Sequence, residues 1–245
     1  MHQNIANATF QVCCGNSTGS GFSFMRDDIV ITNLHVVAPF IDQQAMSALA
    51  NPILITENGQ QLEAHIRHVQ ASDDFAILQL ISPLPEGRCV LHPSPTFVPL
   101  RGTKLIFSGY PHGIPQLLTN EAILSAPLER GRFTLDGMIN GGNSGGPIVE
   151  LISGEVVGIV TQRRFIFGDE ADAFGQEIQE LRTALAYYRQ FGGVAFNGID
   201  LGQIMDLFGR SLQITSIMLS QNANSGIGIG FSIQPVVEVV NQLDW

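Results

Sequence analysis

The chain has 245 residues, 44% of them hydrophobic, enough to bury a sizeable core as one large domain or two small ones. Lys and Arg number 12 against 22 Asp and Glu, a net charge of -10 without a basic run, which argues against nucleic acid as a direct partner because phosphates would be repelled. No apolar run of about 18 residues occurs and no secretory leader is read at the start, so no membrane span or membrane partner is expected.

Three cysteines, Cys13, Cys14 and Cys89, are odd in number and lack zinc-type spacing. They read as free thiols in a reducing, cytoplasmic compartment, with no metal and no cofactor expected.

Up to about residue 160 the pattern is short strands separated by turn signals. Apolar runs fall at 29–31, 53–55 and 75–80, and Leu62, Ala64 and Ile66 alternate. Asn58-Gly59 between the second run and 61–69 predicts a tight hairpin with positive φ at both residues. Pro83, Pro85, Pro93, Pro95 and Pro99 mark an extended connector, which places the boundary between a first β-half, 1–95, and a second, 96–245. Further strands are expected at 104–108, 116–125, 132–135, 148–151 and 156–161, and so many short strands predict a mainly β protein of antiparallel barrels or a sandwich.

After residue 161 the texture changes. Phe174, Ile178, Leu181, Leu185 and Tyr188 recur at helical spacing and predict an amphipathic helix over 169–190. A second helix is expected from Asp200, as N-cap, to Phe208, with Gly209 just past its end. Strand texture returns at 228–233, and Pro235 opens a C-terminal helix over 236–243.

One stretch carries chemistry. In Gly141-Gly142-Asn143-Ser144-Gly145-Gly146 a single serine sits among four glycines, where the backbone can turn sharply and present amides to one small space. A plain Gly-rich turn between strands is the alternative. A serine hydroxyl needs a base and a group to orient that base. His35 follows an apolar strand and Asp74 heads another, so with Ser144 the order along the chain is His, Asp, Ser. Each taken alone would as readily be structural; together they fill three roles in the required order.

The segments Gly19-Ser20-Gly21-Phe22, Thr32 to Val37, Asp74 to Leu78 and Gly142 to Pro147 resemble the trypsin-like serine peptidases, and specifically their bacterial high-temperature-requirement (HtrA) branch. Gly109-Tyr110-Pro111-His112-Gly113 and Gly228 to Ile233 look like two further segments of that branch. The resemblance covers residues 1 to about 162 and 226 to 245. It implies two six-stranded antiparallel barrels of chymotrypsin type with a cleft between them; the helical texture at about 163–225 is then an insertion in the second barrel where the family has a short loop, and the C-terminal helix follows that barrel's closing strand. It makes Ser144 the acylated nucleophile, His35 the general base and then acid, and Asp74 the group holding the His35 tautomer. Gly142, Asn143 and Ser144 form the oxyanion loop, the amides of Gly142 and Ser144 being its donors.

The same resemblance puts Met138 at the floor of the primary specificity pocket, with walls from Val160, Thr161, Gln162 and Gly228. An uncharged, apolar residue is therefore expected before the scissile bond. Asn143 stands where secreted digestive relatives carry an aspartate, so activation by N-terminal cleavage is not expected. No PDZ domain follows within the sequence, which makes the 163–225 insertion the candidate site of a regulatory protein partner. Two functions follow: a serine endopeptidase acting on protein or peptide substrates, or a latent protease-fold module serving as a binding scaffold.

Overall fold

The computed structural model describes residues 1–42, 44–45, 47–112, 114–165, 176–181, 183–184, 195–196, 199–222, 224–243 and 245. They form two compact units, Met1–Arg163 with Gly226–Trp245, and Arg164–Ser225.

The first unit holds two closed six-stranded barrels. Strands β1 (Thr9–Cys14), β2 (Ser17–Ser23), β3 (Ile29–Thr32), β6 (Ile53–Ile55), β7 (Gln61–Gln70) and β8 (Phe75–Leu80) close the first in the order β1-β2-β3-β8-β7-β6. Two short strands, β4 (Ile41–Asp42) and β5 (Ser47–Ala48), pair beside it. The second barrel runs β10-β11-β16-β13-β12-β9, from β9 (Lys104–Gly109), β10 (Leu118–Pro127), β11 (Arg132–Asp136), β12 (Pro147–Glu150), β13 (Val156–Phe165) and β16 (Asn224–Ser232). Neighbouring strands are antiparallel, as the alternation and turn spacing predict.

The continuous apolar runs are explained by burial on both faces of one strand. Val30, Ala76 and Leu78 point into the first barrel with Phe10, Val12 and Leu54. Their neighbours Ile29, Ile31, Phe75 and Ile77 point the other way, into a seam shared with Ile106, Val149, Val156 and Ile159 of the second barrel. Two helices plug the same seam: α1 (His2–Ala8) through Ile5 and Ala8, and α4 (Gln234–Gln242) through Val236 and Val240. Phe107, Phe133, Leu135, Ile148 and Val160 fill the second barrel.

Several local expectations are corrected. The hairpin after β6 is a five-residue loop, not a two-residue turn, with Thr56 N–H donating to Gln60 O at 2.9 Å; Gly59 has positive φ (84°) and Asn58 does not, and the Asn58 side-chain oxygen accepts from the Thr56 hydroxyl. Residues 34–37, which carry His35, form a single helical turn, α2 (Leu34–Val37), followed by a 3-10 turn, Ala38–Phe40. Helix α1 has no counterpart among the expectations.

In the second unit, β14 (Ala195–Phe196) pairs with β15 (Ile199–Asp200). Asp200 caps the next helix as expected, its Oδ1 accepting from Gly202 N at 2.8 Å and Gln203 N at 3.3 Å. That helix, α3 (Leu201–Asn222), does not stop at Gly209. An interior glycine costs about 1 kcal/mol, and the Asp206–Arg210 ion pair at 2.8 Å bridges the turn that contains it. Of the helix expected over 169–190, residues 176–181 and 183–184 are helical, with Ile178 buried and Leu181 exposed; Phe174, Leu185 and Tyr188 lie outside the described residues.

Candidate active site

His35 sits in the first turn of α2, carried there by β3, and Asp74 immediately precedes β8, the strand that pairs with β3. Adjacent strands thus bring together two residues 39 positions apart. Asp74 Oδ2 lies 2.7 Å from His35 Nδ1, and Oδ1 accepts the His35 backbone N–H at 3.1 Å, so one carboxylate fixes both the ring and the chain that bears it.

Asp74 has φ of 49°, an uncommon value for a residue with a side chain. Its surroundings over-determine it. Its carbonyl accepts from the Asn33 side-chain amide at 2.7 Å and from Leu34 N at 3.2 Å, while the Thr161 hydroxyl donates to Oδ2 at 2.9 Å. Strain of this kind persists where several bonds hold it in place.

Ser144 lies in the loop between β11 and β12. Its hydroxyl donates to Thr161 O at 3.2 Å, and among the described residues no hydrogen bond joins it to the His35 ring.

The backbone around Ser144 can be followed peptide by peptide. Asn143 N donates to Asn140 O at 3.1 Å, Gly145 N to Val160 O at 2.8 Å and Gly146 N to Asn143 O at 3.0 Å. The carbonyls are engaged as well: Gly141 O by His112 N at 2.6 Å, Gly142 O by the Ser20 hydroxyl at 2.7 Å, and Ser144 O by Ser20 N at 2.8 Å. Among the described residues, the N–H groups of Gly142 and Ser144 donate to no protein acceptor.

A trans peptide points its N–H opposite to its C=O. Holding Gly141 O against His112, and Asn143 O against Gly146, therefore turns the Gly142 and Ser144 N–H groups the other way. The glycines are required: Gly142 has φ of 93° and a Cβ there would lie 2.2 Å from Tyr110 O, while Gly145 has φ of 87° and its Cβ would lie 2.1 Å from Ser20 O. Asn143 is 2% exposed and its Oδ1 has no partner among the described residues. A neutral amide suits that position, since a carboxylate would be buried without a cation. Behind the loop, burial pushes the Tyr110 hydroxyl up to about 12, which keeps it protonated.

The residues expected to shape the specificity pocket divide. Val160 and Thr161 are buried in β13, and the Thr161 hydroxyl turns to Asp74. Met138 is 62% exposed, whereas its neighbour Ile139 is 1% exposed and packs on Gly228 so closely that a Cβ there would meet Ile139 Cδ1 at 2.1 Å. The side chain of Gln162 lies outside the described residues. Sequence reasoning passed over Asn33, Ser20 and His112 as site residues. Each stands beside a motif glycine or a triad candidate, and adjacency was the available signal.

The family model described as a trypsin-like peptidase domain matches residues 19–159. Human serine protease HTRA3 is 30% identical over 155 residues, 59% of this chain and 33% of that protein. A probable periplasmic serine endoprotease, DegP-like, of Brucella suis biovar 1 (strain 1330) is 32% identical over 153 residues, 58% of this chain and 27% of that protein. The chain thus spans about a third or less of the length of these relatives. Among solved structures, the serine endoprotease from Yersinia pestis superimposes with a TM-score of 0.61 at 18% identity, covering 99% of this chain and 66% of that one, a likeness of fold.

Proposed function

The chain belongs to the trypsin-like peptidase domain family, and on that premise we propose that it is a serine endopeptidase cleaving peptide bonds through an acyl-enzyme on Ser144. The observation that carries the reading is the 2.7 Å pairing of Asp74 with His35 Nδ1. A carboxylate there selects the tautomer with the proton on Nδ1 and leaves the Nε2 lone pair to act as base.

In this mechanism the Ser144 hydroxyl leaves Thr161 O, gives its proton to Nε2 and attacks the scissile carbonyl. Charge gathering on the carbonyl oxygen is met by the N–H groups of Gly142 and Ser144, which have no other acceptor among the described residues. The imidazolium then protonates the leaving amine, and the same imidazole activates the water that hydrolyses the acyl-enzyme. Met138, uncharged and 62% exposed, supports an uncharged residue before the scissile bond.

A biotinylated fluorophosphonate is the direct test. The wild type is expected to label and to cleave a peptide library, and Ser144→Ala to do neither. A folded wild type that resists labelling would sink the reading in favour of a latent scaffold.

A further inference from the structure

We propose that Ser20 is a positioning residue that sets the aim of the oxyanion donors from the opposite barrel. The inference rests on the serine peptidase reading and concerns a side chain that takes no part in the triad.

Ser20 belongs to β2 of the first barrel and is 0% exposed. Its polar atoms are spent on the second barrel and on its own sheet. The hydroxyl donates to Gly142 O at 2.7 Å and accepts from Tyr110 N at 2.9 Å. Its N–H donates to Ser144 O at 2.8 Å, and its carbonyl accepts from the Thr32 hydroxyl at 2.7 Å. One residue therefore holds the carbonyls on both sides of Asn143.

The Gly142–Asn143 peptide lies between the two peptides whose N–H groups have no acceptor among the described residues. Because each peptide is planar, an uncompensated turn of the middle one, in ψ of Gly142 or φ of Asn143 alone, re-aims the loop on one side of it relative to the other. Gly142 itself resists this poorly, since a glycine at φ of 93° has other conformations open to it. Within the loop the Asn143 N–H holds this peptide through Asn140 O at 3.1 Å, and the Ser20 hydroxyl holds its other end from outside.

Loss of that hydroxyl strands two buried groups, Gly142 O and Tyr110 N, in a gap smaller than a water molecule. The backbone of Gly109 is packed against the same spot, where a Cβ would lie 2.8 Å from Ser20 Oγ. Turning the Gly142–Asn143 peptide toward another donor becomes the way to satisfy the carbonyl. Substrate binding does not use these amides as strongly as the transition state does, so the effect falls on kcat rather than KM.

The test compares wild type, Ser20→Ala and Ser20→Cys, the last retaining a weak donor, on a fluorogenic peptide with valine before the scissile amide. Ser20→Ala is expected to lose about tenfold to a hundredfold in kcat with KM within about twofold, by analogy with removal of an oxyanion donor. A peptide boronate should lose affinity by the same factor as kcat/KM, and Ser20→Cys should recover part of both. An unchanged kcat, a loss confined to KM, or an unchanged boronate affinity overturns the proposal. Crystal structures of wild type and variant give a readout free of turnover: the Gly142–Asn143 peptide is expected to turn in Ser20→Ala, and superimposable loops would refute the role. If the wild type neither turns over nor labels, the peptidase reading fails while the loop comparison still decides Ser20. If Ser20→Ala does not fold, Ser20→Cys carries the same measurements.

Discussion

Replacing Thr161 by valine removes one hydroxyl and keeps the branched shape that suits β13. That hydroxyl donates to Asp74 Oδ2 at 2.9 Å, the same oxygen that meets His35 Nδ1 at 2.7 Å. A hydrogen bond to a charged group contributes about 1.5–3 kcal/mol. The Asp74 side chain is 24% exposed, so water replaces part of the loss, and about 1–1.5 kcal/mol of transition-state stabilisation should disappear, close to tenfold in kcat/KM. The Thr161 carbonyl, which accepts from Ser144, is retained in the variant. Steady-state kinetics on a fluorogenic peptide, with thermal unfolding to verify folding, measures the effect. A second cycle decides the route: in an Asp74→Asn background Thr161→Val should cost far less, because the two act through one oxygen. An equal cost in both backgrounds, or no cost in either, would refute the reasoning.

Three further outcomes follow from burial and charge. Asp28 is held below the usual carboxylate range, first by its hydrogen bond from Arg26 and then by that from Gln79; its contribution is present above the unfolded value of about 3.9 and lost as pH falls through the folded value. Asp28→Asn should therefore lower Tm modestly at pH 7 and by less as the pH falls below the unfolded value, and a deficit independent of pH would contradict this. Asn143→Asp places a carboxylate at a site 2% exposed without a cation, so the folded pKa of the new group rises and the variant should lose about 3 kcal/mol or more near pH 8, recovering on acidification, as read by urea unfolding at two pH values. Burial first, and then the neighbouring Cys13, push the Cys14 thiol up to about 12, leaving about one thiolate in ten thousand at pH 8; iodoacetamide should spare Cys14 in the folded protein and modify it in urea, by peptide mass spectrometry.

Much of the site was legible because its signals are local. Four glycines around Ser144, a histidine after an apolar strand and an aspartate before another are visible in single segments. What escaped depends on partners far along the chain. Ser20 lies 122 residues from Gly142, and nothing in Gly19-Ser20-Gly21 announces a hydroxyl aimed at a carbonyl in another barrel. Thr161 is named by the resemblance as a pocket wall, but its contact with Asp74, spanning 87 positions, is not legible there.

The fold shows the same division. The runs at 29–31 and 75–80 were strong signals because both faces of those strands are covered. Leu34, Val36 and Val37 form a helical turn around His35 that four residues are too few to announce by period. Gly209 looked like a terminus, but a tertiary or side-chain contact can outweigh an intrinsic preference of about 1 kcal/mol.

The two-sided strands have a consequence for how the molecule comes apart. Leu78 belongs to the interior of one barrel, while its neighbour Ile77 belongs to the seam that also takes Ile106 and Ile159 from the other. Opening either barrel would strip packing from its companion, so intermediates with one half melted are penalised. A calorimeter should record a single endotherm for Met1–Arg163 with Gly226–Trp245, and heat that loosens the barrel carrying His35 should loosen the one carrying Ser144 at the same temperature.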